Sequence, residues 1–119
     1  MSCFSKFYKK ENLVSKTLDI DEELYYKLEF LSKNVYDASI SKLVNAAIEN
    51  LIVTEDIQLY EKKNNSYVSR SFLIRDSFFE GLYELKRKYR IPIYLLVNIA
   101  IRNGLKGENY NKIKRDIVG

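Results

Sequence analysis

The stretch Leu43-Val44-Asn45-Ala46-Ala47-Ile48-Glu49-Asn50-Leu51-Ile52 decides how this chain is read, because it returns as Leu96-Val97-Asn98-Ile99-Ala100-Ile101-Arg102-Asn103-Gly104-Leu105 with six of ten positions identical. Any two buried helices share apolar spacing, but the matches of Asn45 with Asn98 and of Asn50 with Asn103 are polar and packing does not require them. An internal duplication explains them. Upstream, Leu24, Leu28, Leu31 and Val35 mark one face of a helix, and Phe78, Leu82, Leu85 and Tyr89 repeat the spacing. Before these, Val14-Ser15-Lys16-Thr17-Leu18-Asp19-Ile20 aligns with Val68-Ser69-Arg70-Ser71-Phe72-Leu73-Ile74, segments whose β-branched and aromatic residues suit strands. The copies lie 54 residues apart over strand and first helix and 53 apart over the second helix, so the second copy has an inter-helix loop one residue shorter. Each unit reads strand, helix, turn, helix. Residues 14–53 form the first unit, 54–67 a linker, 68–106 the second unit and 107–119 a tail, within a single domain of 119 residues.

Local signals agree with this division. Asp21 suits an N-cap, with Glu22 and Glu23 in the first turn where carboxylates complement the helix dipole. Ser39 suits the N-cap of a second helix from Ile40 to about Val53 that buries Leu43, Val44, Ala47, Ile48 and Leu51. In the second copy Pro92 fits the first helical position, where a missing N–H costs nothing. The alternation around Ile57 and Leu59 allows a short extra strand in the linker, before the turn-like Lys63-Asn64-Asn65-Ser66. The start, with Phe4, Phe7 and Tyr8 among Lys6, Lys9 and Lys10, reads as an arm or an added strand, and Tyr110, Ile113 and Ile117 as a last helical turn or a frayed tail.

Composition, 46% apolar and 30% charged, is that of a folded domain. No apolar run approaches the roughly 18 residues of a membrane span and the start lacks a signal-peptide core, so a cytoplasmic protein without a membrane partner is expected. Cys3 is the lone cysteine and histidine is absent, so neither a disulfide framework nor a metal site nor any other cofactor is expected. Without histidine, an activated nucleophile or a Gly-rich phosphate loop, an enzyme is not expected either. Net charge is +4, unevenly spread: residues 14–53 hold four Lys against seven acids and residues 68–106 hold eight Lys and Arg against three. The run Lys86-Arg87-Lys88-Tyr89-Arg90 is the densest cationic patch; its bland alternative is a solvated helix end.

A strand with two helices cannot bury its own apolar faces, whereas two copies pairing their strands antiparallel place Leu18, Ile20, Phe72 and Ile74 onto four helices. The expected fold is mainly α with a short antiparallel two-stranded ribbon. With Ser39-Ile40-Ser41-Lys42-Leu43-Val44 looking like the start of its second helix, the chain resembles the ribbon-helix-helix family of DNA-binding regulators. Members are usually dimers of one unit per chain; here both units share a chain, implying a tandem pseudo-dimer.

The resemblance implies double-stranded DNA as partner, with the ribbon in the major groove and the second-helix N-termini on phosphates. Alternation turns Ser15, Thr17 and Asp19 outward from one strand and Ser69, Ser71 and Leu73 from the other, hydroxyls that can meet several base edges beside a carboxylate and an apolar group. Lys16 and Arg70 fall on the inward parity, and either turn outward to phosphate and groove edges or cover the core with their stems. Phosphate contacts fall to Ser39, Ile40 and Ser41 in the first copy; in the second, which starts Pro92-Ile93-Tyr94, Pro92 removes a donor and Lys86, Arg87, Lys88 and Arg90 compensate by charge. A sequence-specific transcriptional regulator, as a repressor occupying promoter DNA and with self-association on DNA, is the expected function; such regulators occur in plasmids and in viruses of bacteria and archaea, where the compartment is the host cytoplasm. The alternative is a protein-interaction or assembly module that kept the fold without DNA, its Ser/Thr face solvated or covered by another strand.

Overall fold

A computed structural model describes residues 12–62, 65–107, 112 and 115. The arm through Glu11, Lys63-Asn64 and most of the tail lie outside the described residues, so the expectations placed there have no structural counterpart. Strands β1 (Leu13–Asp21) and β2 (Tyr67–Arg75) pair antiparallel, the one sheet among the described residues. In the register Thr17 faces Ser71, Val14 faces Ile74 and Ile20 faces Val68. Thr17 and Ser71 occupy the same position in the two copies, so every other pair has its repeat counterpart: Leu18 opposite Arg70 answers to Phe72 opposite Lys16.

Four helices cover one ribbon face: α1 (Glu22–Leu31), extended by a π turn Ser32–Tyr36, α2 (Ile40–Thr54), α3 (Asp76–Tyr89) and α4 (Ile93–Gly107). Leu18, Ile20, Val68, Phe72 and Ile74 from the ribbon join Leu24, Leu28, Val44, Ile48, Leu82, Leu96 and Ile101 in one core. Each such side chain, fully buried, stabilises the fold by about 1.5–3 kcal/mol. Where α3 passes α2, a Cβ on Gly81 would lie 2.6 Å from Ile52 Cδ1, so glycine there permits the approach.

The expected caps form at Asp21, whose carboxylate accepts the Glu23 N–H at 3.0 Å, and at Ser39, whose hydroxyl accepts the Lys42 N–H at 3.2 Å. Several expectations need correction. Val35 and Tyr89 are each 37% exposed and Phe79, not Phe78, is the fully buried aromatic at the start of α3. The wider π turn loses the 3.6-residue phase before Val35, and the chain leaves it through a left-handed Asp37, φ 46°. Leu43 and Ala47 are only half-buried. Pro92 lies one position before the first helical residue: its carbonyl accepts from Leu96 N–H at 3.0 Å, which makes it the N-cap of α4.

Residues 55–62 of the linker contain no strand. Glu55 ends α2 with a left-handed φ of 50°, and the Asp56 carbonyl accepts from Asn103 Nδ2 at 2.9 Å. Ile57 and Tyr60 pack against the core while Leu59 is 68% exposed. The covered residues are three apart rather than two, so the alternation of Ile57 and Leu59 does not mark a covered face. Burial, then the Asp21 charge, pushes the Tyr60 phenol up to about 12.

Candidate nucleic-acid interface

The ribbon face turned away from the helices carries Ser15, Thr17, Asp19, Ser69, Ser71 and Leu73, all exposed, as the alternation predicts. At its centre the Thr17 and Ser71 hydroxyls lie 2.8 Å apart. Such facing side chains come close in the non-hydrogen-bonded pairs of an antiparallel ladder, whose backbone groups point outward. A two-stranded ribbon therefore leaves both outer edges with donors and acceptors to satisfy.

The duplicated asparagines meet that need. Asn98 Oδ1 accepts the Asp21 N–H at 2.7 Å, and Asn98 Nδ2 donates to the Asp19 carbonyl at 3.0 Å and to Tyr94 at 2.7 Å. Asn45 Oδ1 accepts the Arg75 N–H at 3.0 Å, and Asn45 Nδ2 donates to the Leu73 carbonyl at 2.7 Å and to Ser41 at 2.8 Å. Each asparagine thus holds the strand of the other copy. The first-helix starts rest on the residues just ahead of the opposite strand, with Glu22 N–H donating to Ser66 O at 3.2 Å and Asp76 N–H to Asn12 O at 2.9 Å. Asn45 and Asn98 stand out in the sequence as polar matches, but their role as strand clamps depends on pairing between copies and has no local signature. Ser41 is likewise committed through its side chain, the hydroxyl accepting the Leu73 N–H at 3.2 Å.

The cationic residues divide by position. Lys16 is exposed and shares a cleft with Thr17, Asp19, Tyr83, Lys86 and Tyr94, so Lys86 belongs with the ribbon. Arg70 is exposed as well; its guanidinium lies 5.5 Å from the Tyr25 ring and donates to Ser69 O at 2.9 Å. Lys88 departs from the expectation for its run: its ammonium is 2.7 Å from Glu55, which also accepts from the Tyr89 hydroxyl at 3.0 Å. Hydrogen bonds from Lys88 and then Tyr89 hold the Glu55 carboxyl below its ordinary range, and the same pairing raises Lys88. Successive helical residues point in different directions, so one basic run serves two surfaces. Arg87 and Arg90 are exposed.

At the start of α2, Ser39 is exposed and Ile40 and Ser41 are half-buried beside Lys42; a cleft there also includes Leu13, Leu73 and Arg75. At the start of α4, Tyr94 is 40% exposed and stands edge-on to Tyr67, ring centres 6.4 Å apart. Nothing in the sequence singles out Arg75 or Tyr67, which only the register brings to the ribbon's flanks. Among the described residues no group of His, Cys, Asp and Glu could hold a metal ion, and no helix is long and apolar enough to cross a membrane. No family model, curated protein or solved structure matches the chain.

Proposed function

We propose that this chain is a tandem ribbon-helix-helix pseudo-dimer and acts as a sequence-specific, double-stranded-DNA-binding transcriptional regulator, a repressor by occupancy. The observation that carries this reading is the ribbon itself: Leu18, Ile20, Val68, Phe72 and Ile74 lie under four helices while Ser15, Thr17, Ser69 and Ser71 on the outward side stay exposed. A two-stranded ribbon fits the major groove, where each base pair displays a distinct pattern of donors and acceptors. Lys16, Arg70 and Lys86 supply charge beside it, and the second-helix starts flank it with backbone donors. Binding weakens with salt at a logarithmic slope of roughly −0.9 per phosphate neutralised. Selection from random duplexes at two salt concentrations tests the reading: an enriched motif that persists at the higher salt supports it, and recovery without enrichment removes it.

The exposed Leu13 and Leu73 at one ribbon end favour a second reading, a protein-interaction or assembly module. Chain-to-chain association with no retardation of duplex DNA would favour that reading over the first.

A further inference from the structure

Resting on the DNA reading above, we infer that the chain recognises a directional, non-palindromic site, with a thymine methyl met by Leu73 on one side of its centre and a cytosine amine met by Asp19 on the other. Asp19 and Leu73 stand at the same position of the two copies, on either side of the Thr17–Ser71 pair. Their backbones are held alike, each carbonyl accepting from the amide of an equivalent asparagine, at 3.0 Å for Asp19 and 2.7 Å for Leu73. Two matched positions therefore present opposite chemistry: an exposed carboxylate and a leucine 49% exposed.

The neighbours extend the contrast. On the Leu73 side the register adds Leu13 opposite Arg75, and on the Asp19 side Asp21 opposite Tyr67. In the major groove a carboxylate accepts from the cytosine N4 amine, and an apolar group contacts the thymine methyl. Repulsion between Asp19 and phosphate is offset by Lys16 and Lys86, which line the same cleft. The two positions are separated by four residue steps along the ribbon, which at about 3.4 Å per residue is about 14 Å, or about four base-pair steps. A dimer of identical units has to read an inverted repeat because its symmetry is that of the operator. This chain carries no such constraint, and among the central outward positions 15–19 and 69–73 the pair Asp19 and Leu73 carries the largest asymmetry.

Random-duplex selection with the full chain and with Asp19→Leu, Leu73→Asp and Asp19→Asn tests the inference. The unaltered chain should return a motif without twofold symmetry, G·C on one side and A·T about four base pairs away. Asp19→Leu should lose the G·C preference by about tenfold and return a near inverted repeat at the centre of the site, because the central outward residues 15–19 and 69–73 then differ only at Thr17 and Ser71. Leu73→Asp should impose G·C on both sides, and Asp19→Asn, which keeps size and removes charge, should relax the cytosine preference even if a larger change impairs folding. An inverted repeat from the unaltered chain, or a motif unmoved by the Asp19 substitutions, overturns the inference while the DNA reading stands. Absence of any enriched motif removes that reading and the inference with it.

Discussion

The first unit, residues 14–53, and the second, 68–106, exchange matching asparagine hydrogen bonds and differ in almost everything they show to solvent. Asn45 and Asn98 each tie down the opposite strand, and Glu22 and Asp76 each start a helix on a carbonyl just ahead of the opposite strand. Yet the first unit carries an excess of acids and the second an excess of bases. Asp19 in one answers to Leu73 in the other, and Ser39 starts one second helix where Pro92 starts the other. Contacts that complete the shared sheet are held in common because each copy's strand edge depends on its counterpart; surface chemistry carries no such reciprocal demand.

The clamps give the largest expected effect and the sharpest test of that equivalence. Asn98 is 1% exposed whereas Asn45 is half-buried, so water can replace the second more readily than the first. Asn98→Ala should destabilise by about 2–3 kcal/mol, leaving the Asp21 N–H and Asp19 carbonyl without partners, and Asn45→Ala by about 1 kcal/mol, both read by chemical denaturation. Equal, negligible losses would break the proposed division of labour.

Next comes Gly81, whose counterpart in the first copy is Lys27. Since any Cβ at this position would meet Ile52 Cδ1 at 2.6 Å, Gly81→Leu should cost about 1–3 kcal/mol in thermal or denaturant unfolding, and Lys27→Leu less than about 0.5 kcal/mol. Smaller again is the split of the basic run. Lys86→Ala should lower the salt slope of DNA binding by about 0.9, and Lys88→Ala should leave it unchanged because that ammonium serves Glu55. The smallest effect is in acid. Because the folded Glu55 carboxyl lies below its ordinary value of 4.5, its pairing favours the folded state at neutral pH and that contribution fades as pH falls through the depressed value. The stability difference between the unaltered chain and Lys88→Ala should accordingly shrink in acid, as denaturation curves at neutral and acid pH would show.

Much of this is legible in the sequence because duplication and period are local properties. The 54-residue offset already makes Thr17 and Ser71 equivalent, although which residues face each other is set only by the register, and the alternation of Leu18, Ile20, Phe72 and Ile74 tells which ribbon face is covered. The direction of side chains at helix ends is not legible. Lys86 and Lys88 read as one patch, and only the position of Glu55 at the end of α2 separates them. The linker misleads because Ile57 and Leu59 alternate in the sequence, whereas the residues that pack on the core are Ile57 and Tyr60 and Leu59 is left in solvent. The asparagine clamps are visible as identities and silent as contacts, since the groups they satisfy belong to the opposite copy.

The claim on which the rest depends is that one chain completes its own ribbon and that the Thr17–Ser71 side enters a groove. Thr17→Cys with Ser71→Cys, in a Cys3→Ser background, places thiols at facing positions of a ladder pair whose geometry a disulfide can span. Oxidation at low protein concentration should give a crosslinked monomer, formed more slowly when a selected duplex is bound. Crosslinked dimers, or a monomer crosslink formed at the same rate with duplex bound, would contradict it.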